Sequence, residues 1–112
     1  IASRLSKKVY HVNDEKRAKL HLSAVIACNF SNLMYQLADE ICEENEIPFE
    51  ILHNLIEETA NKIKTSSPIK AQTGPAKRAD KKTIKKHLEQ LKSKPELFEI
   101  YNILTKSIIN RK

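Results

Sequence analysis

Glycine is almost missing from this chain: Gly74 is the one glycine in 112 residues. Average usage of about 7% would supply roughly eight. Phosphate-cradling loops need several glycines at fixed spacing, so neither a Walker loop nor a GxGxxG dinucleotide fingerprint is present. Hairpin-rich β architectures also lean on glycine turns, which excludes them as the leading fold class. Long apolar runs are missing too. The most apolar stretch, Leu20 to Ile41, is interrupted by His21, Asn29, Asn32, Gln36, Asp39 and Glu40. A membrane span needs about 20 mostly apolar residues, so no membrane partner is expected. No leader with a 7–15-residue apolar core follows the start at Ile1, which is not methionine, and a fragment or a processed product of a longer protein is expected.

Cysteine is scarce. Cys28 and Cys42 fall in what reads as one helix, where fourteen residues separate them by about 21 Å. A disulfide needs Cα atoms within about 7 Å, so the two are expected as free, buried, packing thiols. Free thiols suit a reducing cytoplasm.

What remains is a helical pattern. Hydrophobic residues at 40% and charged residues at 30% give a globular balance. Lys8 to Val12 alternates and reads as a short strand or extended entry, whose partner strands would lie upstream. Asn13 is a good N-cap, with Asp14 and Glu15 in the first turn where the helix dipole favours acids. No proline or glycine follows until Pro48, which predicts one long helix, or two with a kink, to about Glu46. Leu20, Ala24, Ala27, Ser31, Met34, Ala38 and Ile41 form one stripe, and Val25, Ile26, Phe30, Leu33 and Leu37 cover other faces. A helix apolar on several faces must be surrounded, at the centre of a bundle or across a dimer.

A second helix is predicted from about Pro48 to Lys64, ended by Thr65-Ser66-Ser67-Pro68. Residues 69–79 read as a loop or short turns. A third helix starts near Asp80, and a fourth restarts at Ser93-Lys94-Pro95-Glu96. Charge is unevenly divided. Residues 39–58 hold eight acids and no Lys or Arg, whereas residues 62–94 hold eleven Lys/Arg and two acids. That asymmetry serves either intramolecular complementarity or a basic face for a phosphate-bearing partner.

Three constellations carry possible chemistry. The first is His21, Cys28, Asn29 and Asn32 on the long helix. At 100° per residue, His21, Cys28 and Asn32 fall within about 20° of one another, with Asn29 about 80° from His21. A buried unpaired amide costs about 1–3 kcal/mol, so these residues either tie helices together or face a cavity. His21 and Cys28 are about 10 Å apart along the axis, too far to share a zinc ion, and no metal is expected. The second is the run Thr73-Gly74-Pro75-Ala76-Lys77-Arg78-Ala79-Asp80, where the lone glycine fits a positive φ and Arg78 offers a fork for carboxylate or phosphate. It is equally an ordinary turn into a capped helix. The third is Lys77, Arg78, Lys81, Lys82, Lys85 and Lys86, either a solvated face or a grip on nucleic-acid phosphates. No aromatic residue interleaves it, so nucleic acid is not the expected partner.

Taken together, the segment His21-Leu22-Ser23-Ala24-Val25-Ile26-Ala27-Cys28-Asn29-Phe30 and the later Gln72-Thr73-Gly74-Pro75-Ala76-Lys77-Arg78-Ala79-Asp80 resemble a helical C-terminal domain of unknown function that follows a Rossmann-like NAD(P)-binding domain. The Tyr101 to Ile109 ending fits as well. The layout is similar to that of pyrroline-5-carboxylate reductase and the 6-phosphogluconate dehydrogenase group. The resemblance implies an all-α fold built around one long central helix, like a 6-phosphogluconate dehydrogenase C-terminal domain, over residues 13–112. Residues 1–12 would then end a linker or the preceding Rossmann-like domain.

It further implies the dimerisation and substrate-side half of an NAD(P)-dependent oxidoreductase, inactive alone, with NADP or NAD bound mainly by a missing N-terminal domain. A homodimer through the long helix and a small-molecule substrate are the implied partners. Carried over residue by residue, His21 and Asn29 become catalytic candidates. His21 would donate a hydrogen bond or exchange a proton, and Asn29 would orient a carbonyl. Asn32, Thr73, Gly74, Pro75 and Arg78 become substrate-binding candidates, with Arg78 taking an anionic group. The alternatives are a non-catalytic helical module using the 77–86 face for nucleic acid or an acidic protein, and a purely structural dimerisation domain.

Overall fold

A computed structural model describes residues 13–111. All regular structure among them is helical, the fold class expected from the pattern and the resemblance. The Lys8–Val12 strand expectation lies outside the described residues. The chain divides into two compact units, Ile1–Phe49 and Glu50–Lys112.

The first unit is built on one helical run. Helix α1 (Asp14–Ala24) opens where Asn13 accepts a hydrogen bond from the backbone N–H of Lys16. One bond from a carbonyl-bearing cap satisfies a donor that the first turn leaves orphaned. The run then passes through a π-turn, Val25–Asn29, before resuming as α2 (Phe30–Glu44). At the π-turn the Phe30 N–H reaches the Val25 carbonyl, five residues back. The helix is therefore unbroken by proline or glycine, as expected, but it is not a straight α-helix.

Its end is a Schellman arrangement. The Ile47 N–H donates to the Cys42 carbonyl at 2.8 Å and the Glu46 N–H to the Glu43 carbonyl at 3.2 Å. Glu46 takes the left-handed position with φ of 57°. Glycine usually fills that position, so a chain with one glycine spends backbone strain there.

A 3-10 turn, Phe49–Leu52, spans the boundary and leads into α3 (His53–Thr65) of the second unit. The predicted start at Pro48 is thus displaced by one tight turn. A single helical turn, α4 (Pro68–Ala71), carries Pro68 at its start, where the missing N–H costs nothing. This turn lies in part of the segment expected as loop. Helix α5 (Lys81–Gln90) is capped by Asp80, and α6 (Pro95–Ile109) begins on Pro95, both as expected. Helices α5 and α6 pack through a polar seam. His87 Nδ1 and the Tyr101 hydroxyl are 2.7 Å apart, with the rings edge to face at 5.6 Å. Leu91, at the turn between the two helices, and Thr105 are buried.

Little else is buried. Among the described residues, Cys42, Ala76, Leu91 and Thr105 make up the buried set. The long helix keeps large apolar side chains in the open, Leu22 at 53%, Ile26 at 55% and Phe30 at 56% exposure. Of the two cysteines expected to pack, Cys42 is buried and Cys28 is exposed, and both are free thiols. The expectation that the rod is surrounded is therefore not met within this chain alone. No helix among the described residues is long and apolar enough to cross a membrane.

Candidate functional site

The two polar segments lie in different units, and each is built locally. In the first unit His21 lies in the last turn of α1, one turn before the π-turn, and Asn29 closes that π-turn. Asn32 follows in the first turn of α2. All three side chains are exposed on the chain, as is Cys28. None is a satisfied core residue holding helices together.

Serine hydroxyls flank this stretch. Ser23 Oγ donates to the Lys19 carbonyl at 3.0 Å, and Ser31 Oγ donates to the Ala27 carbonyl at 2.7 Å. Such back-bonding loosens the regular ladder and favours departures from straight helix. Single π-turns of this kind occur often at functional sites. The facing derived for a straight helix, with Cys28 and Asn32 beside His21 and Asn29 aside, does not hold across Val25–Asn29.

In the second unit the segment from Thr73 to Asp80 is a compact turn. Gly74 sits at φ of 101°, a conformation that side-chain-bearing residues rarely adopt, although an added Cβ would meet nothing within 4 Å. Its role is therefore backbone freedom, not close approach. The Arg78 N–H donates to the Gly74 carbonyl at 3.2 Å and the Asp80 N–H to the Pro75 carbonyl at 2.9 Å. Ala76 is buried beneath the turn, while Thr73 and Arg78 point to solvent and Pro75 is half-buried.

Asp80 receives two hydrogen bonds from one residue: the Thr83 backbone N–H at 3.1 Å and the Thr83 hydroxyl at 2.7 Å. These bonds, with weaker help from Arg78 and Lys82 against slight desolvation, hold its carboxyl below the usual aspartate value. The carboxylate thus occupies the start of α5, and the motif's anion-binding potential rests on Arg78 and its lysine neighbours. Lys77 and Arg111, with Gln72 and Ile108, line a surface cavity of about 250 Å³ beside this turn. Sequence reasoning did not single out Arg111, whose place near the loop follows from the tertiary packing of α6. Lys77, Lys81, Lys82, Lys85 and Lys86 are exposed, which fits a solvated face and adds no feature that reads nucleic acid.

An all-α domain with an irregular long helix and a single-glycine turn ahead of a capped helix is the class defined by this geometry. The chain belongs to a family described as a domain of unknown function (DUF2520), whose model matches residues 1–108. It is similar to the crystal structure of a putative NADP oxidoreductase from Bacteroides fragilis, at 42% identity and a TM-score of 0.87. The match covers 90% of this chain and 39% of that protein. No curated protein matches the chain. These findings bear out the resemblance and the all-α fold read from the two motifs.

Proposed function

We propose that this chain is the helical part of an NADP-dependent oxidoreductase, contributing dimerisation and one wall of a substrate cleft. The observation that carries the reading is the likeness to the putative NADP oxidoreductase of Bacteroides fragilis over 90% of this chain. The nicotinamide cofactor is held mainly by another domain, because the chain has one glycine and cannot form a dinucleotide fingerprint. Alone, this part does not turn over substrate.

The exposed apolar side chains of the long helix, Leu22, Ile26 and Phe30 among them, support its use as the interface of a homodimer. His21 and Asn29, exposed polar residues within that apolar stretch, face the substrate. His21 donates a hydrogen bond or exchanges a proton, and Asn29 orients a carbonyl. Asn32 is a lesser contact at the edge. In the second motif Thr73, Gly74 and Pro75 shape the wall and Arg78 takes an anionic group of the substrate. The small-molecule substrate is one that accepts or yields a hydride, and the setting is cytoplasmic.

The test uses the full-length protein and the 13–112 segment side by side. NADPH binding is followed by fluorescence, and mass by sedimentation. The full-length protein is expected to bind NADPH and sediment as a dimer, and the segment to dimerise without binding NADPH. Equal NADPH affinity for the segment, or no binding by the full-length protein, overturns the assignment.

A further inference from the structure

We infer that the π-turn at Val25–Asn29 is a register device that brings Asn29 onto the helix face carrying His21, so that the two grip one elongated ligand at two points. The inference rests on the proposed cleft role of this helix and adds the arrangement of its contacts and the shape of what they hold. The geometry is simple. In a straight α-helix, eight residues turn Asn29 about 80° away from His21. The Phe30 N–H to Val25 carbonyl bond closes a turn one residue wider than an α-turn. One extra residue in a turn sets everything beyond it back by about 100°. Spread over the five residues of the turn, that offset is complete at Asn29, which then stands within about 20° of His21, while Asn32 moves to about 80° and Cys28 to about 100°.

The polar residues thus change places. Straight-helix geometry would pair His21 with Cys28, and the π-turn pairs it with Asn29 instead. Val25 lies between them along the run and is half-buried, so the face reads polar, apolar, polar. With one residue taken up by the wider turn, seven at 1.5 Å place the two polar side chains about 10 Å apart along the axis. Helical side chains lean the same way, toward the N-terminus, so these two cannot converge on one atom. The ligand they hold has hydrogen-bonding groups near both ends and an apolar middle against Val25. A compact substrate of three or four heavy atoms cannot reach both.

The shared face of His21 and Asn29 gives the helix a reason to hold an energetically poorer turn here. A π-turn is rare and costs regular hydrogen bonding, and such turns concentrate at functional sites. Proline and glycine are absent from residues 14–44, and the back-bonds of Ser23 and Ser31 loosen the ladder on either side of the turn without fixing its register.

The experiment has two arms, both in the full-length protein. The first reads register with Zn²⁺ alone. In a His21→Ala background, Val25→His/Phe30→His places two imidazoles five residues apart. Across a π-turn they are neighbours, and zinc binds at least about tenfold more tightly than to either single variant. In a straight helix they stand about 140° apart and show no such gain. Phe30→His/Met34→His, four apart within α2, binds zinc in either case and confirms that the helix has formed.

The second arm reads contact. Maleimide labelling of the thiol introduced by Asn29→Cys, in a Cys28→Ser/Cys42→Ser background, is compared with labelling of native Cys28 in Cys42→Ser, with saturating NADP+ alone and with NADP+ plus each of a panel of carbonyl compounds, a pairing that binds without turnover. Protection of position 29 by about fivefold or more, with Cys28 unchanged, is expected. No zinc gain with the control pair intact, or protection of Cys28 in place of position 29, overturns the inference. Zinc gain with neither thiol protected overturns the cleft reading and the ligand contact built on it, and leaves the shared face standing.

Discussion

His87 on α5 and Tyr101 on α6 meet through a 2.7 Å hydrogen bond between imidazole Nδ1 and the phenol hydroxyl. The rings are perpendicular, edge to face. Burial raises the Tyr101 pKa against the opposing effect of a hydrogen bond from Thr105. The phenol therefore sits in a chain of polar contacts that joins the two helices at a place where few side chains are buried. Tyr101→Phe keeps the ring and removes the hydroxyl. It is expected to cost about 1 kcal/mol, read as a lower denaturation midpoint. A double-mutant cycle with His87→Phe should return a coupling energy of about 0.5–1.5 kcal/mol. Additive effects would show that the two helices are held without this pair. The sign with pH follows from the raised pKa: the stabilising contribution is complete below the unfolded tyrosine value near 10 and is lost as pH rises through the higher folded value.

Backbone strain gives a prediction of opposite sign at two positions. Glu46 holds a left-handed φ of 57° at the end of α2, and Gly74 holds φ of 101° in the second unit. Glu46→Gly relieves the strain and is expected to raise stability by about 1 kcal/mol. Gly74→Ala meets no steric obstacle, so its cost is purely conformational, about 1–2 kcal/mol. Thermal denaturation of the two variants checks both signs. A neutral Gly74→Ala would mean that the turn relaxes to negative φ.

Asp80 supplies the acid limb of the pH profile. Its carboxyl is held below the ordinary value first by the Thr83 hydroxyl, then by the Thr83 backbone N–H. A depressed folded pKa contributes stability that is present above the unfolded value, about 3.9, and is lost as pH falls through the folded one. Asp80→Asn keeps an acceptor for the Thr83 N–H and removes the titration. The variant should melt lower than the wild type at pH 7, and the difference should shrink below about pH 4. A difference that stays constant across that range would separate the cap from the pH response.

These caps and breaks were legible in the sequence because each is decided within four residues. Asn13 before Asp14-Glu15, Asp80 three residues before Thr83, and Pro95 at a helix start each satisfy or remove a donor that the first turn leaves open. The Gly74 turn was legible for a related reason, since a chain with one glycine keeps it where φ demands it. The π-turn was not legible. Periodicity assigns every residue a fixed 100° step, and one hydrogen bond from Phe30 to Val25 replaces that step locally. Its available trace was the eight-residue spacing of His21 and Asn29, which makes little sense on a straight helix. Contact between α5 and α6 was likewise out of reach, because His87 and Tyr101 are fourteen residues apart.

The dimer prediction follows from the open apolar surface. Leu22 and Ile26 are four residues apart on the helical run, and both are about half exposed. Covering the remaining half of each contributes on the order of 1 kcal/mol per side chain. In a symmetric interface each residue counts twice. Leu22→Asp/Ile26→Asp places charge there, and sedimentation should show a monomer at concentrations where the wild type is dimeric. Helical ellipticity should be retained, because the replaced side chains are exposed in the single chain. An unchanged sedimentation coefficient would move the interface off this helix.

Activity provides the sharpest separation of roles. If His21 and Asn29 contact the substrate of an NADP-dependent oxidoreductase, His21→Ala should lower kcat/KM by about a hundredfold, the usual scale for losing a positioned acid or base. Asn29→Ala should cost about 2 kcal/mol of transition-state stabilisation, roughly thirtyfold, if its amide polarises a reacting carbonyl. Both losses should fall mainly on kcat if the contacts strengthen at the transition state, and mainly on KM if they hold ground-state substrate. Arg78→Ala is different. It removes an anion contact, so KM should rise for anionic substrates and change little for neutral ones. Arg78→Lys should restore charge without the planar fork and recover only part of the affinity. The assay is NADPH oxidation at 340 nm by the full-length protein against a panel of carbonyl compounds. Unchanged turnover in both His21→Ala and Asn29→Ala would place the reacting groups elsewhere and leave the long helix with dimerisation alone.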